Sequence, residues 1–80
     1  MRLDKFLKVS RIIKRRQVAD EACSSGRVSV NGRVVKSSYQ VKEGDLVEIS
    51  YAQGKQCVRI QSVKEHALKA DAPSMYEMVE

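Results

Sequence analysis

The apolar positions keep two different periods along this chain. From Leu3 to Ile13 they recur at helical spacing. Leu3, Phe6, Leu7 and Ser10 share a face at i, i+3, i+4 and i+7, and Val9 and Ile13 widen it. This predicts a helix over 3–12. A second helix is expected over 16–25, with Val18, Ala19, Ala22 and Cys23 inward and Gln17, Asp20, Glu21 and Ser24 outward. Its inward residues are small, so the two helices can pack closely. Gly26 sits where a left-handed C-cap is needed.

After Gly26 the period falls to two. Val28 and Val30 alternate with Ser29, Asn31-Gly32 turns the chain, and Val34 and Val35 follow. Asn-Gly between such runs is a strong hairpin signal, so 27–36 is read as a β-hairpin. A loop over 36–43 should drop Tyr39 and Val41 onto the core. Strands follow over 45–51, with Val47, Ile49 and Tyr51 on one face, and over 56–63, with Val58 and Ile60 inward and Arg59 and Gln61 outward. The turn between them is placed at 52–55. The pattern then weakens. His66, Ala67, Leu68 and Ala70 suit a turn of helix that Pro73 would end. Met75, Tyr76, Met78 and Val79 form a last apolar patch that suits a strand or a short helix equally well. The fold class is α+β, with a domain over 1–63 and an extension over 64–80.

Charge divides the chain unevenly. The first 16 residues carry seven bases (Arg2, Lys5, Lys8, Arg11, Lys14, Arg15, Arg16) against Asp4 alone. Residues 37–80 hold five bases and seven acids. The net +5 is therefore a polarity, with one basic end. Arg2, Lys5, Lys8 and Arg11 recur every three residues as a slanted stripe on the first helix. Asp4 lies in that helix's first turn, where the helix dipole favours a carboxylate and where it can orient a neighbouring Arg. No Ser, Thr, Asp or Asn immediately precedes the second helix, so its first amides are open to an external acceptor such as phosphate. Arg16 at that end is the leading candidate for a phosphate contact, because its fork can grip a phosphate bidentately. Arg2, expected beside Arg16 at the junction of the two helix N-termini, comes next, with Lys5, Lys8, Arg11, Lys14 and Arg15 behind it.

Several function classes drop out. Eighty residues bury a small core and leave little room for a deep cleft. No Ser-His-Asp or Cys-His arrangement, Gly-rich phosphate loop or cofactor motif can be proposed, and His66 lacks a partner, so no enzyme is expected. Cys23 and Cys57 lack metal-ligand spacing and read as small buried hydrophobes in a reducing cytosol. No apolar run nears the ~20 residues of a membrane span, and no signal peptide is visible. The helical apolar face is needed for the sheet, which argues against a membrane-surface role. With three Tyr, one Phe and no Trp, a stacking platform for single strands is not expected.

Three blocks carry a family resemblance: R-L-D-K-F-L from Arg2, R-R-x-x-A-x-x-x-x-x-x-G-R-V-x-V-N-G from Arg15 to Gly32, and V-x-x-G-D-x-V-x-I from Val41 to Ile49. In this order and spacing the chain resembles the S-four (αL) RNA-binding domain family over about residues 1–50. That resemblance implies two helices on a small bent antiparallel sheet. R-L-D-K-F-L-K-V-S-R-I-I-K-R-R and the closing M-Y-E-M-V resemble the small stand-alone members that act in bacterial ribosome-associated quality control, and more distantly the fifteen-kilodalton heat-shock protein. The implied role is a cytoplasmic, monomeric RNA-binding factor without a cofactor. It would bind obstructed large ribosomal subunits, contact rRNA and peptidyl-tRNA, and work with RqcH as the stalled chain receives an alanine tail. Two alternatives stay open. One is a heat-shock-type recycling factor for large subunits with nascent chain. The other is a protein–protein adaptor using an acidic face of Asp20, Glu21, Glu43, Asp45 and Glu48.

Overall fold

The computed structural model describes residues 1–64 and 70–79. Among these residues, two helices pack on one five-stranded antiparallel sheet, as the α+β reading requires. His66 and the helical turn expected around it lie outside the described residues.

Helix α1 spans Leu3–Val9 and stops three residues short of the expected end. The cause is a tight exit. Ser10 caps the helix, Arg11 takes a left-handed backbone (φ 64°), and its amide donates to the Lys8 carbonyl at 3.0 Å. That backbone costs an L-residue about 1–2 kcal/mol. It turns the chain so that the Ile13 amide reaches the Leu7 carbonyl at 3.0 Å and the Ile13 side chain joins the core. Leu3, Phe6 and Leu7 are fully buried, each contributing about 1.5–3 kcal/mol of transfer free energy.

Helix α2 spans Arg16–Ser24 and buries Ala19, Ala22 and Cys23. Val18 does not face inward and is 47% exposed. It lies one position, about 100° of helix rotation, before Ala19, and so falls off the narrow buried stripe. Gly26 (φ 77°) closes α2 in a Schellman motif. Its amide donates to Cys23 O, and the Arg27 amide donates to Ala22 O.

The strands are β1 Val28–Val30, β2 Arg33–Val34, β3 Leu46–Tyr51, β4 Gly54–Ile60 and β5 Tyr76–Val79. Their order is β2-β1-β3-β4-β5. Asn31 and Gly32 both have positive φ (53° and 84°) and form the hairpin tip, pairing Val30 with Arg33. The Asn31 side chain locks this tip to β3. Its Oδ1 accepts the Leu46 amide at 3.0 Å, and its Nδ2 donates to Asp45 Oδ1 at 3.1 Å. Val47, Ile49, Val58 and Ile60 face the core as expected.

Several details differ from the sequence reading. The β3–β4 turn is tighter, with Tyr51 paired to Gly54, and β4 ends at Ile60. It ends there because the Gln61 and Ser62 amides both turn to the Met75 carbonyl. Tyr51 lies at the end of β3, 44% exposed, with its hydroxyl donating to Gln56 Oε1 at 2.9 Å. Val41 is buried, but Tyr39 is exposed. Cys57 is only half-buried. The last apolar patch uses both available forms. Met75 is buried at the end of a 3-10 turn over Ala72–Met75, and β5 then pairs with β4, Val58 opposite Met78. Among the described residues, no helix is long and apolar enough to cross a membrane.

Candidate nucleic-acid interface

The start of α1 is pinned from outside. The Leu3 amide donates to Tyr39 O at 2.8 Å, the Asp4 amide to Ser37 O at 3.2 Å, and Arg2 bridges Gln40. The loop after β2 therefore fixes the backbone that carries Arg2 and Asp4.

Asp4 is the hub of the site. It is 3% exposed, and its carboxylate accepts from two arginines and from one backbone amide. Arg2 Nε lies 3.2 Å from Oδ1, and Arg2 Nη2 lies 3.3 Å from Oδ2. Arg16 Nε lies 3.3 Å from Oδ2, and Arg16 Nη2 lies 3.5 Å from Oδ1. The Lys5 amide completes the set at 2.8 Å. A carboxylate that is nearly out of water is thereby well supplied with donors, which offsets its desolvation. Two cations surround one anion, so the cluster keeps a net positive charge.

Both guanidinium groups stay wet, with each side chain 47% exposed. Each uses Nε and Nη2 on Asp4, so part of its donor fork remains for a second acceptor. A phosphate is such an acceptor, and it would meet two forks already held in place. Arg15 occupies the N-cap of α2 without a side-chain cap, as the sequence suggested.

The other cations do not share this hub. Lys5 is half-buried, whereas Lys8, Arg11, Lys14 and Arg15 are exposed and make no ion pair among the described residues. The expected stripe stops at Lys8, because Arg11 follows the helix end. The acidic face is also incomplete. Asp45 is buried, and its carboxylate accepts from Asn31 and from the Lys42 amide. Glu48 pairs with Lys55 at 3.0 Å. Cys23 is buried. Burial first, then the charges of Asp4 and Asp20, push its thiol up to about 11.

The chain as a whole is similar to known proteins. A model of the S4 domain, the S-four module, matches residues 1–47. The RQC P-site tRNA stabilizing factor of Halalkalibacterium halodurans is 53% identical over 78 residues, which are 98% of this chain and 89% of that one. The chain belongs to this S4-domain family. The factor of the same name from Streptococcus pneumoniae is 49% identical over 79 residues (99% of this chain, 90% of that one). Among solved structures, heat shock protein 15 of Vibrio cholerae, described as trimeric, superposes with a TM-score of 0.90 at 25% identity, covering 99% of this chain and 81% of that one. The solution structure of HP1423 gives 0.85 at 30% identity, over 100% and 98% of the two chains. Within this family frame, Arg2 and Arg16 stand out as the two basic residues fixed by one buried carboxylate. The Asp4–Arg16 link was missed in the sequence, since no helical or strand period connects positions 4 and 16. The local hints were the weak cap before α2 and the place of Asp4 in the first turn of α1, where it can orient a neighbouring Arg.

Proposed function

We propose that this protein is an RNA-binding factor of ribosome-associated quality control. It binds obstructed large ribosomal subunits that carry peptidyl-tRNA, touches both rRNA and tRNA, and supports RqcH-dependent alanine tailing of the stalled chain. It acts by holding tRNA, with no catalytic step of its own. The RNA-binding module is read as residues 1–63, with 64–80 as an extension. The observation that carries this reading is the pair of half-exposed guanidinium groups, Arg2 and Arg16, fixed on the buried Asp4. The name and high identity of the relatives supply the setting. Structured RNA is recognised through backbone, 2′-OH and shape, which suits rigidly held cations. Lys5, Lys8, Arg11, Lys14 and Arg15 would add longer-range attraction.

The fold likeness to heat shock protein 15 favours one second reading, a recycling factor for large subunits with nascent chain. A tagged copy should pull down large subunits with tRNA, and its loss should stop alanine-tail synthesis while RqcH is present. Recovery of subunits with tailing unaffected would select the recycling reading. Recovery of no subunits would defeat both.

A further inference from the structure

A second recognition element adjoins Arg2. An open groove of about 830 Å³ lies between the C-terminal half of α2, β2 and the loop that follows β2. Arg2, Ser24, Val34, Lys36, Ser37 and Tyr39 are among the residues that line it. No carboxylate lines it among the described residues. Tyr39 is 37% exposed and Val34 66%, so both present apolar surface to the solvent. The loop is not loosely attached, because its Ser37 and Tyr39 carbonyls hold the first amides of α1.

A phosphate backbone alone needs cations and hydroxyls; it has no use for a ring and an exposed valine. An unstacked base needs both, a flat apolar face for its own face and polar groups at its edge. A single Tyr cannot support a strand of stacked bases, but it can support one base. The two cations among the lining residues, with no acid beside them, match a polyanion. Because Arg2 belongs to both the groove and the Asp4 cluster, one RNA strand can reach from phosphate grip to groove without a gap.

We propose that this groove takes a single unpaired nucleotide of the bound RNA, its base against the Tyr39 ring and its phosphates beside Arg2 and Lys36. The proposal rests on the RNA-binding reading of the Arg2–Arg16 site.

The test uses three fluorescent RNA hairpins and the full chain. One hairpin is fully paired, one carries an unpaired adenosine in the stem, and one has an abasic residue at that place. The unpaired adenosine should tighten binding at least about fivefold over the other two, the low end of a base–aromatic stack. Tyr39→Ala should erase that preference, whereas Tyr39→Phe should keep it, because the ring and not the hydroxyl carries the contact. Circular dichroism should show both variants folded, since the side chain is partly exposed. Equal binding to all three hairpins, with Arg16→Ala weakening each alike, would overturn the groove and leave the RNA-binding reading standing. A preference that survives Tyr39→Ala would also overturn it. Should Tyr39→Ala bind every hairpin as the parent does yet fail in alanine tailing, the groove holds a protein partner instead. Binding to all hairpins that ignores Arg16→Ala would count against the underlying site.

Discussion

The Arg16 guanidinium closes on the Asp4 carboxylate across the junction of the two helices, Nε to Oδ2 at 3.3 Å. One partner is buried and the other is 47% exposed. The contact therefore does two things at once. It ties α2 to the first turn of α1, and it aims a cation outward. Arg2 repeats the arrangement from the other side at 3.2 Å. An acid at the centre of a basic surface thus serves binding by fixing direction, although it lowers the charge.

Asp4→Asn separates direction from charge. The substitution raises the net charge from +5 to +6, so long-range attraction alone would strengthen RNA binding. Loss of the ionic hub should instead weaken it by about 1 kcal/mol, because both forks lose their anchor. Folding stability should fall by about 1–2 kcal/mol, less than for a fully buried pair because both arginines can turn to water. Urea unfolding and equilibrium binding to large subunits would measure the two effects separately. Tighter binding by Asp4→Asn would mean that the carboxylate plays no orienting part.

Salt gives an independent reading of how many cations touch phosphate. About five contacts should give a log–log slope of about −3 to −5 for binding to large subunits. Arg16→Ala should make that slope shallower by about 1. A flat response in the parent protein would return the acidic-face adaptor to consideration, despite the burial of Asp45.

The fold was legible in the sequence wherever one local rule decided the structure. Asn31-Gly32 specified its turn, Gly26 its cap, and the alternation through Val28, Val30, Val47, Ile49, Val58 and Ile60 marked the buried face of the sheet. Reading failed where the tertiary setting decided. Ile12 continues a helical pattern, yet the left-handed Arg11 had already ended the helix. Val18 and Tyr39 are apolar enough for the core but stay 47% and 37% exposed at its edge. Asp45 reads as a surface acid until Asn31 and the Lys42 amide meet it. The candidate site followed the same division. Composition located the basic end, and the weak cap pointed to Arg16. The cation cluster at the helix junction also puts Arg2 beside Arg16, but that one buried carboxylate, Asp4, holds both depends on how the two helices pack, which no periodicity encodes.

The hairpin tip offers a stability test away from the basic end. Asn31 tolerates its positive φ and also bonds the Leu46 amide and Asp45. Asn31→Ala should cost about 2–3 kcal/mol, from backbone strain plus lost hydrogen bonds at a buried carboxylate. Asn31→Gly should recover the backbone share only. Urea midpoints for the three proteins should therefore rank Asn, Gly, Ala. RNA affinity per folded molecule should not change.

Cys23 predicts the alkaline limb of stability. Its thiol is held up at about 11, against 9.0 without the fold. Well below pH 9 the thiol is protonated in both states and stability is unaffected. Between pH 9 and about 11 the unfolded chain loses this proton first, so stability falls as pH rises. The difference between the parent and Cys23→Ala should carry this slope, at most about 1.4 kcal/mol per pH unit. Iodoacetamide near neutral pH should modify half-buried Cys57 ahead of Cys23.

The most direct measurement is the affinity of Arg16→Ala for large subunits carrying peptidyl-tRNA. The variant should keep its helical circular dichroism, because Arg2 still neutralises Asp4. Binding should fall by about 1.5–3 kcal/mol, roughly ten- to a hundredfold, and alanine tailing should fail with it. Arg16→Lys should recover only part of the affinity, since a point charge cannot reproduce the fork. If Arg16→Ala instead co-sediments with subunits as the parent does and supports full tailing, the Asp4-held arginine pair is not the RNA grip.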